Sequence, residues 1–255
     1  MRIGICGFGF VGKAINSFFQ KYSTDIVIYD KYKEMNNFNI LADTDLLYIC
    51  IPTPYDVCIQ SYDMTEMDNT LLLLAQIEYK GIILIKSTIL PEYCEQINAT
   101  YDQLKIIHNP EFLSAATAAN DFANQSHIIL GYTVQSREVI PMIELFYKKL
   151  FPLALISITT SNVAAITKLA CNSFYATKVQ FFTEIFLLCN KVDVDFNEVK
   201  KLMLNNKWIN TMHTSVPGSD GQISFGDACL PKDINALNQF MLEKKNRESF
   251  IRCRD

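Results

Sequence analysis

The chain has 255 residues, of which 49% are apolar and 20% charged, and its net charge is −4. That composition suits a soluble globular protein of one large or two unequal domains, and it gives no electrostatic reason to expect nucleic acid or an anionic membrane as a partner. No apolar run approaches the roughly 20 residues of a membrane span, and the opening MRIGICGFGF enters a strand without the parts of a secretion signal, so a cytoplasmic protein is expected.

Residues 2–6, RIGIC, are the first strand-like run, followed by GFGFVG and a helical pattern to about Tyr22. GFGFVG matches the G-x-G-x-x-G fingerprint: Gly7 permits a tight turn, Gly9 lets the backbone approach a pyrophosphate, Val11 lies within the turn, and Gly12 allows close helix–strand packing. The next run, IVIYD at 26–30, ends in Asp30, about twenty residues on. A carboxylate there accepts from ribose hydroxyls and repels a 2′-phosphate, which favours NAD over NADP.

Further strand-like runs are LLYICIP at 46–52, GIILIKS at 81–87, LKIIHN at 104–109 and HIILGY at 127–132. Helix-like segments such as NTLLLLAQIEYK and REVIPMIELFYKKL lie between them. The alternation predicts an α/β, Rossmann-like parallel sheet covered on both faces. Thr53, in CIPTP, and Thr88, in KST, stand at strand ends, where ligands bind in such sheets; each either touches the cofactor or caps a turn. Glu111, in HNPEFL, offers a carboxylate at the same edge, or is a solvated loop acid.

From about residue 160 the pattern becomes helical. SNVAAITKLACNSFYATKVQFFTEIFLLCNKV runs for around thirty residues without Pro or Gly, with Ser161 or Asn162 as candidate N-cap, and its apolar character points to a subunit interface. The expected division is an NAD-binding domain, 1–157, and an all-helical domain on this long central helix, 158–255. Lys168 and Asn172, four residues apart, share one helix face, either as a working pair or as an exposed stripe.

Eight cysteines are spread without a CxxC pair, and three histidines show no ligand spacing, so no metal site is expected. Most of the cysteines sit in apolar runs and read as small hydrophobes. Cys229, in SFGDACLPKD, is the exception. If a helix starts near Pro231, the thiol precedes its N-terminus, where a thiolate is stabilised, and Asp233 lies in the first turn. Close packing by a small residue is the alternative.

GFGFVG, Asp30, CIPTP, KST, NPEFL, TKLACNSFYATK and SFGDACLPKD occur in an order that resembles the UDP-glucose/GDP-mannose dehydrogenase family, nearest its UDP-glucose-oxidising members. The resemblance implies NAD-dependent oxidation of UDP-glucose to UDP-glucuronate by two hydride transfers, through a thioester on Cys229, in a homodimer joined by the long helix. It implies that Lys168 and Asn172 hold the oxyanion, that Asp233 handles water or a proton with help from Thr88, that Glu111 serves hydrolysis, and that Lys232 lies near the cofactor. Phe112, Leu113, Asn210, His213 and Gly221 would contact substrate. The same chemistry on UDP-N-acetylmannosamine or GDP-mannose, or a non-catalytic nucleotide-binding remnant, are the alternatives. Three departures stand out: Ala115 replaces a second acid, Asp227 puts a negative charge beside the thiol, and the family's nucleotide-sugar domain is expected to be missing.

Overall fold

A computed structural model describes residues 1–22, 25–218, 221–226 and 229–244. The expectation placed on Asp227 lies outside the described residues. The chain forms two compact units: Met1–Asp56 with Tyr62–Lys168, and Val57–Ser61 with Leu169–Asp255.

The first unit is built on a seven-stranded sheet, ordered β2-β1-β3-β6-β7-β8-β9. Its strands are β1 (Ile3–Cys6), β2 (Ile26–Tyr29), β3 (Leu46–Ile49), β6 (Ile82–Ile85), β7 (Lys105–His108), β8 (His127–Tyr132) and β9 (Leu155–Thr160), while Tyr55–Asp56 (β4) and Ser61–Tyr62 (β5) form a separate short pair. The helices are α1 (Phe10–Gln20), α2 (Thr65–Gln76), α3 (Tyr93–Thr100), α4 (Ala118–Ala123) and α5 (Ile140–Leu150), then α6 (Ser161–Lys191), which runs on into the second unit with α7 (Phe196–Asn205) and α8 (Leu230–Glu243).

β1, β3 and β6 are buried along their whole length, as a parallel sheet with both faces covered demands. The two-residue period divides them between two cores. Ile3, Ile5, Leu46, Tyr48 and Leu84 pack with Ile15, Phe18 and Phe19 of α1 and Ile143 and Tyr147 of α5. Leu47, Ile49, Ile83 and Ile85 pack on the other side with Leu71 and Leu74 of α2. Each fully buried side chain of this size contributes about 1.5–3 kcal/mol.

The Rossmann-like α/β reading holds, with two differences. β7 and β8 pair antiparallel, through Ile107–Tyr132 and His108–Gly131. The connection between them is mostly irregular and contains a six-residue helix, α4, too little to carry the chain back for a parallel crossover. β9 adds an edge strand that no apolar run announced, because half of its residues are exposed.

The end of β9 also corrects the expected cap of α6. Thr160 Oγ1 accepts from Val163 N at 3.4 Å. Ser161 and Asn162 instead serve α3: Ser161 Oγ donates to Glu95, and Asn162 Oδ1 accepts from Glu92 N at 2.6 Å.

In the second unit, Phe182 and Cys189 of α6 and Phe196 of α7 form a small core with Ile185, Val199 and Met203. α7 begins at Asp195, whose carboxylate accepts from Asn197 N at 2.9 Å.

Candidate active site

The strand order reverses between β1 and β3, and the crevice beyond their carboxyl ends is where such sheets bind ligands. Gly7 follows β1 with φ +92°, and a Cβ there would stand 2.7 Å from the Cys50 carbonyl oxygen. Gly12, in the first turn of α1, comes so close to Gly7 that an added Cβ would meet its carbonyl oxygen at 2.1 Å. Around Gly9 there is open space. No side chain caps α1, so its first amide donors remain for a ligand, and helix N-termini favour phosphate.

Asp30 organises this turn. Its Oδ2 accepts from Phe8 N at 2.7 Å, and its Oδ1 from the backbone N–H groups of Tyr32 and Lys33, each at 3.0 Å. Lys33 Nζ lies 3.4 Å from Oδ2 and also donates to the Phe8 carbonyl. Burial by itself raises the carboxyl's pKa, but the hydrogen bonds from Phe8 and Lys33 and the Lys33 charge together bring it below its ordinary value. Beside Asp30 lies a cavity of about 130 Å³ lined by Gly7, Lys31, Ile51, Glu66 and Thr70 among others. Lys31 and Glu66 pair at 2.9 Å at its edge. Open space at Gly9, uncapped donors and a carboxylate beside a cavity fit a dinucleotide with a ribose diol.

Thr53 and Thr88 come together, for Thr53 Oγ1 donates to the Thr88 carbonyl at 2.7 Å. Thr53 therefore ties the ends of β3 and β6 to each other, and Ser87 Oγ does the same through the Ile51 carbonyl at 2.6 Å. Val11 packs against the core.

Glu111 is not a solvated acid. Its side chain is 11% exposed, Oε2 accepts from Leu113 N at 2.6 Å, and Lys168 Nζ lies 3.6 Å from Oε1. Lys168 also sits 4.9 Å over the Phe112 ring, a cation–π contact. Ala115 is exposed in the same loop. Lys168 and Asn172 are 4% and 5% exposed, so they do not form an exposed stripe.

In the second unit, Asn172 Nδ2 donates to Asp233 Oδ2 at 2.5 Å, and Lys232 Nζ reaches Asp233 Oδ1 at 2.5 Å. Asp233 is fully buried, in the first turn of α8. Cys229 is the N-cap residue of that helix, partly exposed and outside any disulfide, and its side chain makes no capping hydrogen bond. The expected position of the thiol, just before a helix N-terminus, is the one observed.

The loop ahead of it is ordered by α6. Lys178 Nζ donates to Asn210 O and Oδ1 at 2.7 and 2.8 Å, and the His213 ring stacks on Tyr175 with centroids 4.7 Å apart. His213 and Gly221 both have positive φ, 59° and 75°.

Two sets of residues went unnoticed in the sequence. Lys31 and Glu66 line the Asp30 cavity and Lys33 holds Asp30 itself, and their spacing carries no signal. Lys86, Asn109 and Tyr147 form a buried network at the ends of β6 and β7. A lysine closing the apolar run GIILI was its available sign, since lysine is almost never fully buried without a partner.

Residues 31–151 match the model of the NAD binding domain of the UDP-glucose/GDP-mannose dehydrogenase family, and residues 162–253 match that family's central domain. The chain belongs to this family. Its cofactor is NAD. Over 249 residues it is 30% identical to a UDP-glucose 6-dehydrogenase of Rickettsia bellii, covering 91% of this chain and 54% of that protein. A UDP-glucose 6-dehydrogenase of Streptococcus pneumoniae is 26% identical, over 93% of this chain and 68% of its own length. The chain thus spans about half the length of the Rickettsia relative.

A solved UDP-glucose dehydrogenase from Pyrobaculum islandicum is similar in fold, with TM-score 0.85 and 20% identity over 97% of this chain and 65% of that one. A GDP-mannose dehydrogenase from Pseudomonas aeruginosa follows at TM-score 0.71 and 22% identity, over 97% and 66% of the two chains. Among the described residues, no helix of this family member is long and apolar enough to cross a membrane.

Proposed function

We propose that the protein is an NAD-dependent nucleotide-sugar dehydrogenase that oxidises the primary alcohol of UDP-glucose to the carboxylate of UDP-glucuronate. Residues 1–157 would bind NAD, and 158–255 would carry the nucleophile and the dimer contact. The observation that supports this best is a partly exposed cysteine at a helix N-terminus, one turn before a fully buried aspartate that is held by an asparagine of α6.

NAD supplies the hydride acceptor for both oxidations. It would be held by the turn of Gly7, Gly9, Val11 and Gly12, by Asp30, and by Thr53, Thr88 and Lys232. Cys229 attacks the aldehyde carbon, its thiolate donating the electron pair of the new C–S bond. Lys168 and Asn172 steady the oxygen that gains charge. Oxidation of this thiohemiacetal leaves a thioester. Hydrolysis then forms a bond from water oxygen to the acyl carbon and breaks the C–S bond, the sulfur leaving with its electron pair while Glu111 takes the water proton. Asp233, with Thr88, handles proton movement at the alcohol. Phe112, Leu113, Asn210, His213 and Gly221 line the sugar.

A homodimer and a cytoplasmic setting belong to the same reading. Phe174, Phe181 and Leu188 recur every seven residues along α6 and are 61%, 50% and 54% exposed, an apolar stripe suited to a second copy.

The test is NADH release by purified protein given NAD and UDP-glucose, with product analysis. The expected result is two NADH per UDP-glucuronate, and loss of acid formation in Cys229→Ser. Full turnover to the acid by Cys229→Ser would sink the covalent route. Activity with UDP-N-acetylmannosamine or GDP-mannose instead would move the substrate, and NAD binding without turnover on any of the three would leave a binding module.

A further inference from the structure

Lys86 has no part in the chemistry above, yet its ammonium is buried at the carboxyl end of β6, with the residue only 3% exposed. Its Nζ donates to Asn109 Oδ1 at 3.0 Å. The same oxygen accepts from Tyr147 OH at 2.6 Å, and Asn109 Nδ2 donates to the Ile129 carbonyl at 2.8 Å. Tyr147 alone would therefore leave the Asn109 oxygen satisfied, and the lysine is not needed for that purpose. A methionine would sit beside Cys50 and Tyr147 without the cost of desolvating a charge.

What the charge adds is a hold on Asn109, two residues before the loop acid. Asn109 begins the NPEFL segment that carries Glu111. The titratable and charged groups that face Lys86 are Cys50 just past β3, Tyr147 from α5, His108 from β7, Glu111 from the loop and Lys168 from α6. Burial drives the Cys50 thiol far above its usual range and the His108 ring down to about 3, so both are neutral. Lys86 and Lys168 remain as the cations whose fields reach the Glu111 carboxylate.

We propose that Lys86 is a positioning residue for the hydrolytic half of the reaction, fixing the Glu111 loop through Asn109. The proposal rests on the reading that a thioester forms on Cys229 and that Glu111 takes the proton of the attacking water. With Lys86 replaced by an uncharged side chain, Asn109 keeps its Tyr147 and Ile129 bonds but the loop loses its charged tether. A displacement of about 1 Å at a reacting group costs on the order of 100-fold in rate. Thioester formation, which does not use Glu111, proceeds.

The experiment compares wild type, Lys86→Met, Lys86→Arg and Tyr147→Phe, each with NAD and UDP-glucose. Rapid quenching followed by intact-mass analysis reads the acyl adduct on the protein, and calorimetry reads NAD affinity separately. In Lys86→Met, a burst of two NADH per chain is expected, then steady turnover slowed by roughly 10- to 100-fold, with the adduct accumulating and NAD affinity within about twofold. Lys86→Arg should recover part of the rate; wild type is expected to lose turnover as pH rises past about 8, where burial leaves Lys86 neutral, and Lys86→Arg should move that fall to higher pH. Tyr147→Phe, which keeps the charge, should turn over faster than Lys86→Met, and it supplies the comparison should the arginine be too large to fold.

The proposal is overturned if Lys86→Met shows no adduct, or if turnover, NAD affinity and thermal stability fall together. If wild type itself yields neither NADH nor adduct with any nucleotide sugar, the proposed function fails first and this inference with it.

Discussion

The buried charge of Lys86 makes a prediction about stability that needs no substrate. Desolvation lowers its pKa from 10.5 to about 8. At roughly 1.4 kcal/mol per pKa unit, folding gives up about 3 kcal/mol to bury this ammonium, a sizeable part of the 5–15 kcal/mol that holds a typical domain together. Below about pH 8 both folded and unfolded chains carry the charge, and the full cost is present. Between pH 8 and 10.5 the unfolded chain binds the proton that the folded chain has released, so unfolding free energy rises with pH across that window. Above 10.5 neither state is charged and the cost is gone.

Lys86→Met removes the titrating group while keeping an unbranched side chain of similar length. Tyr147 still donates to Asn109 Oδ1, so no acceptor is orphaned. The variant should be more stable than wild type by about 3 kcal/mol at pH 7, and the advantage should shrink steadily to near zero at pH 10.5. Urea unfolding followed by circular dichroism, in reducing buffer at several pH values, gives the difference. The tyrosines and cysteines that titrate in this range are common to both proteins and cancel. A difference that stays constant from pH 7.5 to 10.5 would refute the reasoning, because it would mean that the ammonium reaches water in the folded protein.

Three further outcomes follow from the geometry. Gly9→Ala should fold as wild type, since its φ of −75° and open surroundings accept a Cβ, yet lose NAD affinity; Gly12→Ala, whose Cβ would overlap the Gly7 carbonyl, should lose thermal stability as well, and equal behaviour of the two would contradict the assigned turn. Asp30→Asn should weaken NAD binding by roughly 10- to 100-fold, the worth of about 1.5–3 kcal/mol for hydrogen bonds to a charged group; an unchanged dissociation constant in calorimetry would remove the carboxylate from the ribose site. Phe181→Asp, on the exposed stripe of α6, should convert a dimer to monomer in light scattering, and a dimer that survives would place the interface elsewhere.

Much of the sheet was legible because β1, β3 and β6 are continuous apolar runs, and such runs have one stable use, burial on both faces. Direction is not written in them, which is why the antiparallel entry of β8 escaped notice. LISITT escaped for the opposite reason: as an edge strand it buries little and alternates weakly. The α6 cap was misread by one residue, because Thr160, Ser161 and Asn162 are all capping types and their choice depends on the distant Glu92 and Glu95. Lys168 and Asn172 stand four residues apart on α6, and spacing cannot tell an exposed face from a buried one. The partners that decide it, Glu111 and Asp233, lie 57 and 61 residues away in the chain.

Burial of charge is a property that a sequence hides. Lys86, Lys168 and Asp233 are 3%, 4% and 0% exposed, while among the described residues the other lysines and aspartates are mostly at the surface. Lys168 has Glu111 for company, and Asp233 has Lys232. Each of those pairs offsets part of its own desolvation, so its presence could be explained by structure alone. Lys86 differs, because its hydrogen bond goes to a neutral amide that already has Tyr147. Stability gains nothing there that methionine would not supply. If Lys86→Met proves both more stable and slower in hydrolysis, the lysine is held for its charge at Glu111. If the variant is more stable and equally fast, a buried charge in this fold is no guide to function, and the roles assigned to Lys168 and Asp233 would need support from their chemistry alone.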